Sequence, residues 1–106
     1  MEEAVRRKYE ARAKIVKAMA HPSRLFIIDA LSKKETCVCK LAEQIGADVS
    51  TVSRHLSVLE NAGIIEHRKQ ALKVFYRLKS RCAVNIFDCV ESVINNNVRQ
   101  QLRTIR

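Results

Sequence analysis

A chain of 106 residues has room for one small domain with one modest core, and so short a chain buries little of its own surface, which favours pairing with a second copy. Hydrophobic residues make up 47% and charged residues 29%, which describes a foldable, water-soluble sequence, while two glycines and one proline argue against a loop-rich or β-sandwich chain and for helices. Twenty Lys and Arg against 11 Asp and Glu give a formal net charge of +9, a field that attracts nucleic acid or an anionic membrane face, and no apolar run approaches the ~18 residues that span a bilayer.

The chain opens on Glu2 and Glu3 without an apolar signal region, so a cytoplasmic location with reduced cysteines is expected. Residues 2–19 carry Val5, Tyr9, Ala13, Val16 and Met19 on one helical stripe, with Arg6, Arg7, Lys8, Arg12 and Lys14 around it. His21-Pro22-Ser23 ends that helix and opens the next, in which Leu25, Ile28 and Leu31 form a buried face. A short third helix is expected from about Cys37, with Val38, Leu41, Ala42 and Ile45 apolar and Gly46 as its stop. Asp48 is placed to cap a fourth helix by accepting from backbone N–H groups, and Val49, Val52, Leu56 and Leu59 are its core face up to Ala62-Gly63.

The period then changes. Residues 64–70 and 73–78 are β-branched and aromatic around a short polar turn, the pattern of a hairpin. From Cys82 the helical period returns, with Cys82, Ile86, Cys89 and Val93 on one stripe, and the basic tail from Val98 to Arg106 is prone to fray.

Helix, turn, helix and hairpin in this order make a winged helix-turn-helix: a mainly α domain with a β-hairpin wing, one domain over 1–106. Ala42 is small where two helices cross, Gly46 follows four residues later where the turn needs φ > 0, and Val52 returns the second helix to the core. Around Val52 lie Ser50, Thr51, Ser53, Arg54 and Ser57, short hydrogen-bonding side chains for close approach and an Arg for a guanine edge or a phosphate. His55 on the flank is read as a phosphate contact or a surface residue. Arg68, Lys69 and Lys73 at the hairpin tip suit backbone phosphates or the minor groove. Double-stranded DNA is therefore the expected partner, against the blander reading of a solvated polar face.

The pair Cys37-Val38-Cys39 precedes this unit by about ten residues and offers two soft thiolates to a thiophilic ion. On a regular helix residues i and i+2 point about 200° apart, so one ion gripped by both must bend the first turn, and that turn leads into the DNA-reading helix. Cys82 and Cys89 are seven apart on one helical face, where packing, or completion of a site with Cys37 and Cys39 in the same or the other subunit, are both open.

Taken together, the segments 18–25, 37–41, 49–59 and 62–65 resemble the ArsR/SmtB family of metal-responsive repressors over roughly residues 10–95. The resemblance implies a homodimer built on the first and last helices, bound to an inverted-repeat operator and released by an inducer. Arsenite- and antimonite-responsive members carry a Cys-Val-Cys pair at the start of the third helix, so As(III) or Sb(III) is the implied inducer, with no obligatory cofactor. Four features depart from the family's patterns. Ala42 stands where arsenite-type members often have a third cysteine, the N-terminus lacks the cysteines that cadmium- or lead-sensing members add, the last helix offers Asp88 and Glu91 but not the histidine of zinc-sensing members, and the wing tip is Gln70-Ala71-Leu72 where Gly is common. The competing readings are a thiol-redox or persulfide-responsive repressor of the same fold, an interaction module without DNA binding, and a thiol enzyme. The last lacks a Cys-x-x-Cys on a βαβ unit, an oriented Cys/His/Asp set and a phosphate-cradling glycine loop.

Overall fold

The computed structural model describes residues 1–105. Helix α1 covers Glu3–Met19 and α2 covers Pro22–Lys33. Between them His21 is extended (φ −155°) and its ring nitrogen accepts from the Ser23 N–H, while Pro22 fills the first helical position, where a missing N–H costs nothing. A two-residue strand β1 (Thr36–Cys37) leads into α3 (Val38–Ile45), and α4 spans Val49–Asn61. Strands β2 (Ile65–Gln70) and β3 (Lys73–Leu78) form the hairpin. A 3-10 turn, Arg81–Val84, precedes the long α5 (Asn85–Ile105). The sheet is antiparallel in the order β1-β3-β2.

The core lies where α2, α3 and α4 meet the base of the sheet. Ile27, Ile28, Leu41, Leu56, Leu59 and Ile65 are fully buried, each worth about 1.5–3 kcal/mol of removed apolar surface. Buried Ala42 lets α3 and α4 pack closely, and Gly46 (φ 79°) turns the chain between them in the left-handed region. The Gly46 N–H closes on the Ala42 carbonyl at 2.8 Å, so one residue supplies both the crossing point and the cap.

Several expectations are corrected. The third helix begins at Val38 with Cys37 as its N-cap, where it was expected, but Cys37 also ends the unforeseen strand β1, because the β3 backbone offers it a partner: Thr36 pairs with Tyr76 and Cys37 with Phe75. Val49, at the first position of α4, is exposed and takes no part in the core. Cys82 lies on the 3-10 turn, ahead of the α5 stripe, with its sulfur 3.1 Å from the Ser80 hydroxyl. The tail is helical through Ile105, and Arg106 lies outside the described residues. Of the α1 stripe only Met19 is buried; Val5, Tyr9 and Val16 face outward.

Those outward residues have counterparts on α5, where Val90, Val93, Ile94, Val98 and Leu102 are exposed. The radius of gyration is 16.9 Å, against the ~13 Å of a compact chain of this length, because α1 and α5 reach past the core. Two long helices with uncovered apolar faces are what a dimer seam requires.

Candidate nucleic-acid interface and thiol pair

Helix α4 places its polar residues by period. Val52, Leu56 and Leu59 are buried against the core, which leaves Ser50, Arg54 and Ser57 exposed on the opposite side. Thr51 and Ser53 are half-buried at the edges. The Thr51 hydroxyl donates to the Asp48 carboxylate. Asp48 is the N-cap residue of α4, and its carboxylate is engaged chiefly by this hydroxyl of the first turn, where a backbone N–H was expected as the main donor. That hydroxyl, aided by backbone N–H groups and Arg54, holds the Asp48 carboxyl below the ordinary carboxylate range.

His55 is half-buried on the flank of the exposed row, lining one hollow with Arg54 and Ser57. Its ring lies 4.3 Å from that of His21, and its Nδ1 accepts from Arg24 Nε at 3.1 Å. Arg24 also donates to the Ala18 carbonyl, 3.1 Å away. This cluster fastens the end of α1 and the start of α2 to the middle of α4. Burial, chiefly, pushes the His55 imidazole below its ordinary value, and the neighbouring charges of His21, Arg24 and Arg54 add to it. Sequence periodicity gave no sign of this clasp, since Arg24 stands 31 residues from His55.

The wing carries Lys69 and Lys73 exposed near its tip, with no ion-pair partner among the described residues. Arg68 is differently placed. Its Nε donates to Glu35 at 2.5 Å, it reaches the Gln70 side-chain oxygen at 2.7 Å, and its guanidinium lies 5.2 Å from the centre of the Phe75 ring. The hairpin turn puts Ala71 at φ 57°, a left-handed conformation that glycine would adopt without strain. At the other end of the hairpin His67 meets Glu60 of α4 at 2.5 Å, and Arg77 pairs with Glu66 across the strands.

The thiols sit at the other end of the same network. Cys37 is half-buried in β1 and Cys39 exposed in the first turn of α3. One therefore belongs to the sheet and the other to the helix-turn-helix. Glu35, one residue before β1, is the residue held by Arg68 of the wing. This role of Glu35 was missed in the sequence, because it depends on a partner 33 residues away. Cys82 and Cys89 are exposed, and among the described residues no three His, Cys, Asp or Glu side chains come together in a metal-holding group. Within one chain the donor set at Cys37 and Cys39 is thus two sulfurs. Among the described residues no helix is long and apolar enough to cross a membrane.

Comparison with known proteins accords with this geometry. Residues 21–67 match the family described as bacterial regulatory protein, arsR family. An HTH-type transcriptional regulator of Methanocaldococcus jannaschii is 40% identical over 70 residues, covering 65% of this chain and 79% of its own length. The biofilm growth-associated repressor of Xylella fastidiosa strain Temecula1 is 32% identical over 88 residues, covering 83% of this chain and 77% of its own. Among solved structures, the homodimeric winged helix-turn-helix DNA-binding domain Mb0332 from Mycobacterium bovis superposes with a TM-score of 0.77 at 25% identity, over 94% of this chain and 93% of the other.

Proposed function

The chain belongs to the arsR family of bacterial regulatory proteins, a transcriptional repressor and not an enzyme, and from that premise we propose that its operator is released when As(III) or Sb(III) binds the thiolates of Cys37 and Cys39. In this reading Ser50, Thr51, Ser53, Arg54 and Ser57 face the major groove of an inverted-repeat operator, and Lys69 and Lys73 meet phosphates from the wing. Arg68 acts chiefly as the tether between the wing and Glu35, and His55 as a fastener of α4. The protein works as a homodimer in the reducing cytoplasm, where its thiols stay available.

The observation that carries the proposal is that Cys37 and Cys39 straddle the junction between β1 and α3. A soft ion bound to both sulfurs draws them to one side. Cys37 must then leave its register with Phe75, or the first turn of α3 must unwind, and either change acts on an element packed against the wing strand β3 or against α4. β1 is only two residues long, so little pairing resists the change. The ion shifts the population by its differential affinity for the bent form, and a coupling of about 1–3 kcal/mol is enough for 5–150-fold release. Two sulfurs suit a singly methylated arsenical, and a third ligand for arsenite comes from the partner chain or from solvent.

A thiol-redox repressor is the second reading, favoured by the exposure of Cys39, Cys82 and Cys89. One experiment separates the two. Operator binding is titrated with arsenite, antimonite, zinc and peroxide on the native chain, on Cys37→Ser/Cys39→Ser and on Cys82→Ser/Cys89→Ser. Arsenite should release the native chain and the Cys82/Cys89 variant but not the Cys37/Cys39 variant. Release by arsenite without Cys37 and Cys39 refutes the site, and release by peroxide alone supports the redox reading.

A further inference from the structure

We infer that the DNA footprint of this protein extends beyond the helix-turn-helix and the wing, onto a cationic strip formed by Lys14 and Lys17 of α1 and Arg24 of α2 that takes backbone phosphates flanking the half-site. The inference rests on the repressor reading above and adds to it a surface with a different task.

Two open hollows run side by side along the flank of α4. One, of about 610 Å³, is lined by Arg54 and Ser57 of the exposed row together with Arg24, Val58 and Asn61. The other, of about 360 Å³, is lined by Lys14 and Lys17 and again by Arg24, Val58 and Asn61. Because they share three residues, the exposed row of α4 continues without a break onto α1. No carboxylate lines either hollow. Four cations thus border one continuous depression with a small apolar floor of Ala18, Val58 and Ala62.

The cations are presented, not incidental. Arg24 is pinned by His55 and Ala18, which use two of its five N–H donors and hold the guanidinium in place. Lys14 and Lys17 are three residues apart and so share a face of α1, different from the face of Val5, Tyr9 and Val16. Both are exposed and have no ion-pair partner among the described residues. The two lysines are separated along α1 by ~4.5 Å of helix rise, and the strip runs outward from the exposed row of α4. Cations spread along an open strip in this way fit a polyanionic backbone better than one small anion, for which charges converge on a point. Contacts to backbone phosphates carry no base information, so the strip contributes affinity and register but not sequence preference.

The test uses the full chain and its Lys14→Gln/Lys17→Gln variant, whose exposed positions leave the fold intact by thermal melting. Each is bound to two duplexes, one ending at the half-sites of an operator selected from random DNA, the other extended by about one helical turn on each side. On the long duplex the variant should show a slope of log affinity against log salt shallower by about 1–2 per protomer, at roughly 0.9 for each phosphate no longer neutralised. On the short duplex the two proteins should have equal slopes. Equal slopes on both duplexes, or equal reductions on both, overturn the flanking strip while leaving the repressor reading intact. Failure of the native chain to select any operator overturns that reading itself.

Discussion

The α3–α4 unit and the α1/α5 pair both carry apolar residues at helical spacing and end in opposite states. In the first, Leu41, Ala42, Val52, Leu56 and Leu59 are buried within the chain. In the second, Val5, Tyr9, Val16, Val93, Val98 and Leu102 remain exposed along two helices that reach past the core. The reading unit is thus stabilised by its own chain, whereas the arms leave apolar faces that the proposed dimer would cover. The difference matters for control. In the proposed control a change enters that unit at its edge, the Cys37–Cys39 junction, just ahead of which Glu35 is held by Arg68 of the wing.

The comparison breaks most visibly in the core. Leu56→Ala, in a site with no exposure, should cost about 2–5 kcal/mol of stability, read by chemical denaturation at fixed protein concentration. Val93→Glu on α5 should leave the helix content unchanged and raise the dimer dissociation constant at least tenfold, seen by sedimentation. A dimer of native strength would show that α5 is not at the seam.

His55 sharpens the boundary between the two regions, since with His21 and Arg24 it fastens the arm to the reader. Its imidazole is lowered in the folded state, so below the ordinary histidine value of about 6.5 the unfolded chain binds more protons than the folded one. Stability conferred by the neutral clasp is complete above that value. It declines as pH falls towards the lowered folded value and levels off beneath it. Melting temperatures across pH 5–8 should show this slope in the native protein and a reduced one in His55→Gln. The smallest effect is expected at the wing tip. Ala71→Gly relieves a left-handed residue at the cost of chain entropy, for a net gain of order 0.5 kcal/mol.

The reading unit was legible in the sequence because its determinants are local: the apolar period of α4, the Ala42–Gly46–Val52 spacing and the switch to period two at Ile65. What escaped was held by distant partners. β1 exists only because β3 returns to pair with it, so the sequence shows Cys37 at a helix start but not its pairing with Phe75. Arg68 reads as a free phosphate ligand until Glu35 and Phe75 engage it. His55 reads as a surface residue until His21 and Arg24 close on it. Val49 fits the apolar period, yet the period does not say that this first position takes no part in the core. Likewise the stripe on α1 announces an apolar face without saying whose residues cover it.

Antagonism between thiol ligation and operator binding is what the proposed control depends on. Its most direct test is the dissociation constant of arsenite measured twice, on the free dimer and on the dimer saturated with operator. Linkage requires that operator weaken arsenite binding by the same factor, about 5–150, by which arsenite weakens operator binding. Equal arsenite affinity in the two states, with operator still held, would contradict it.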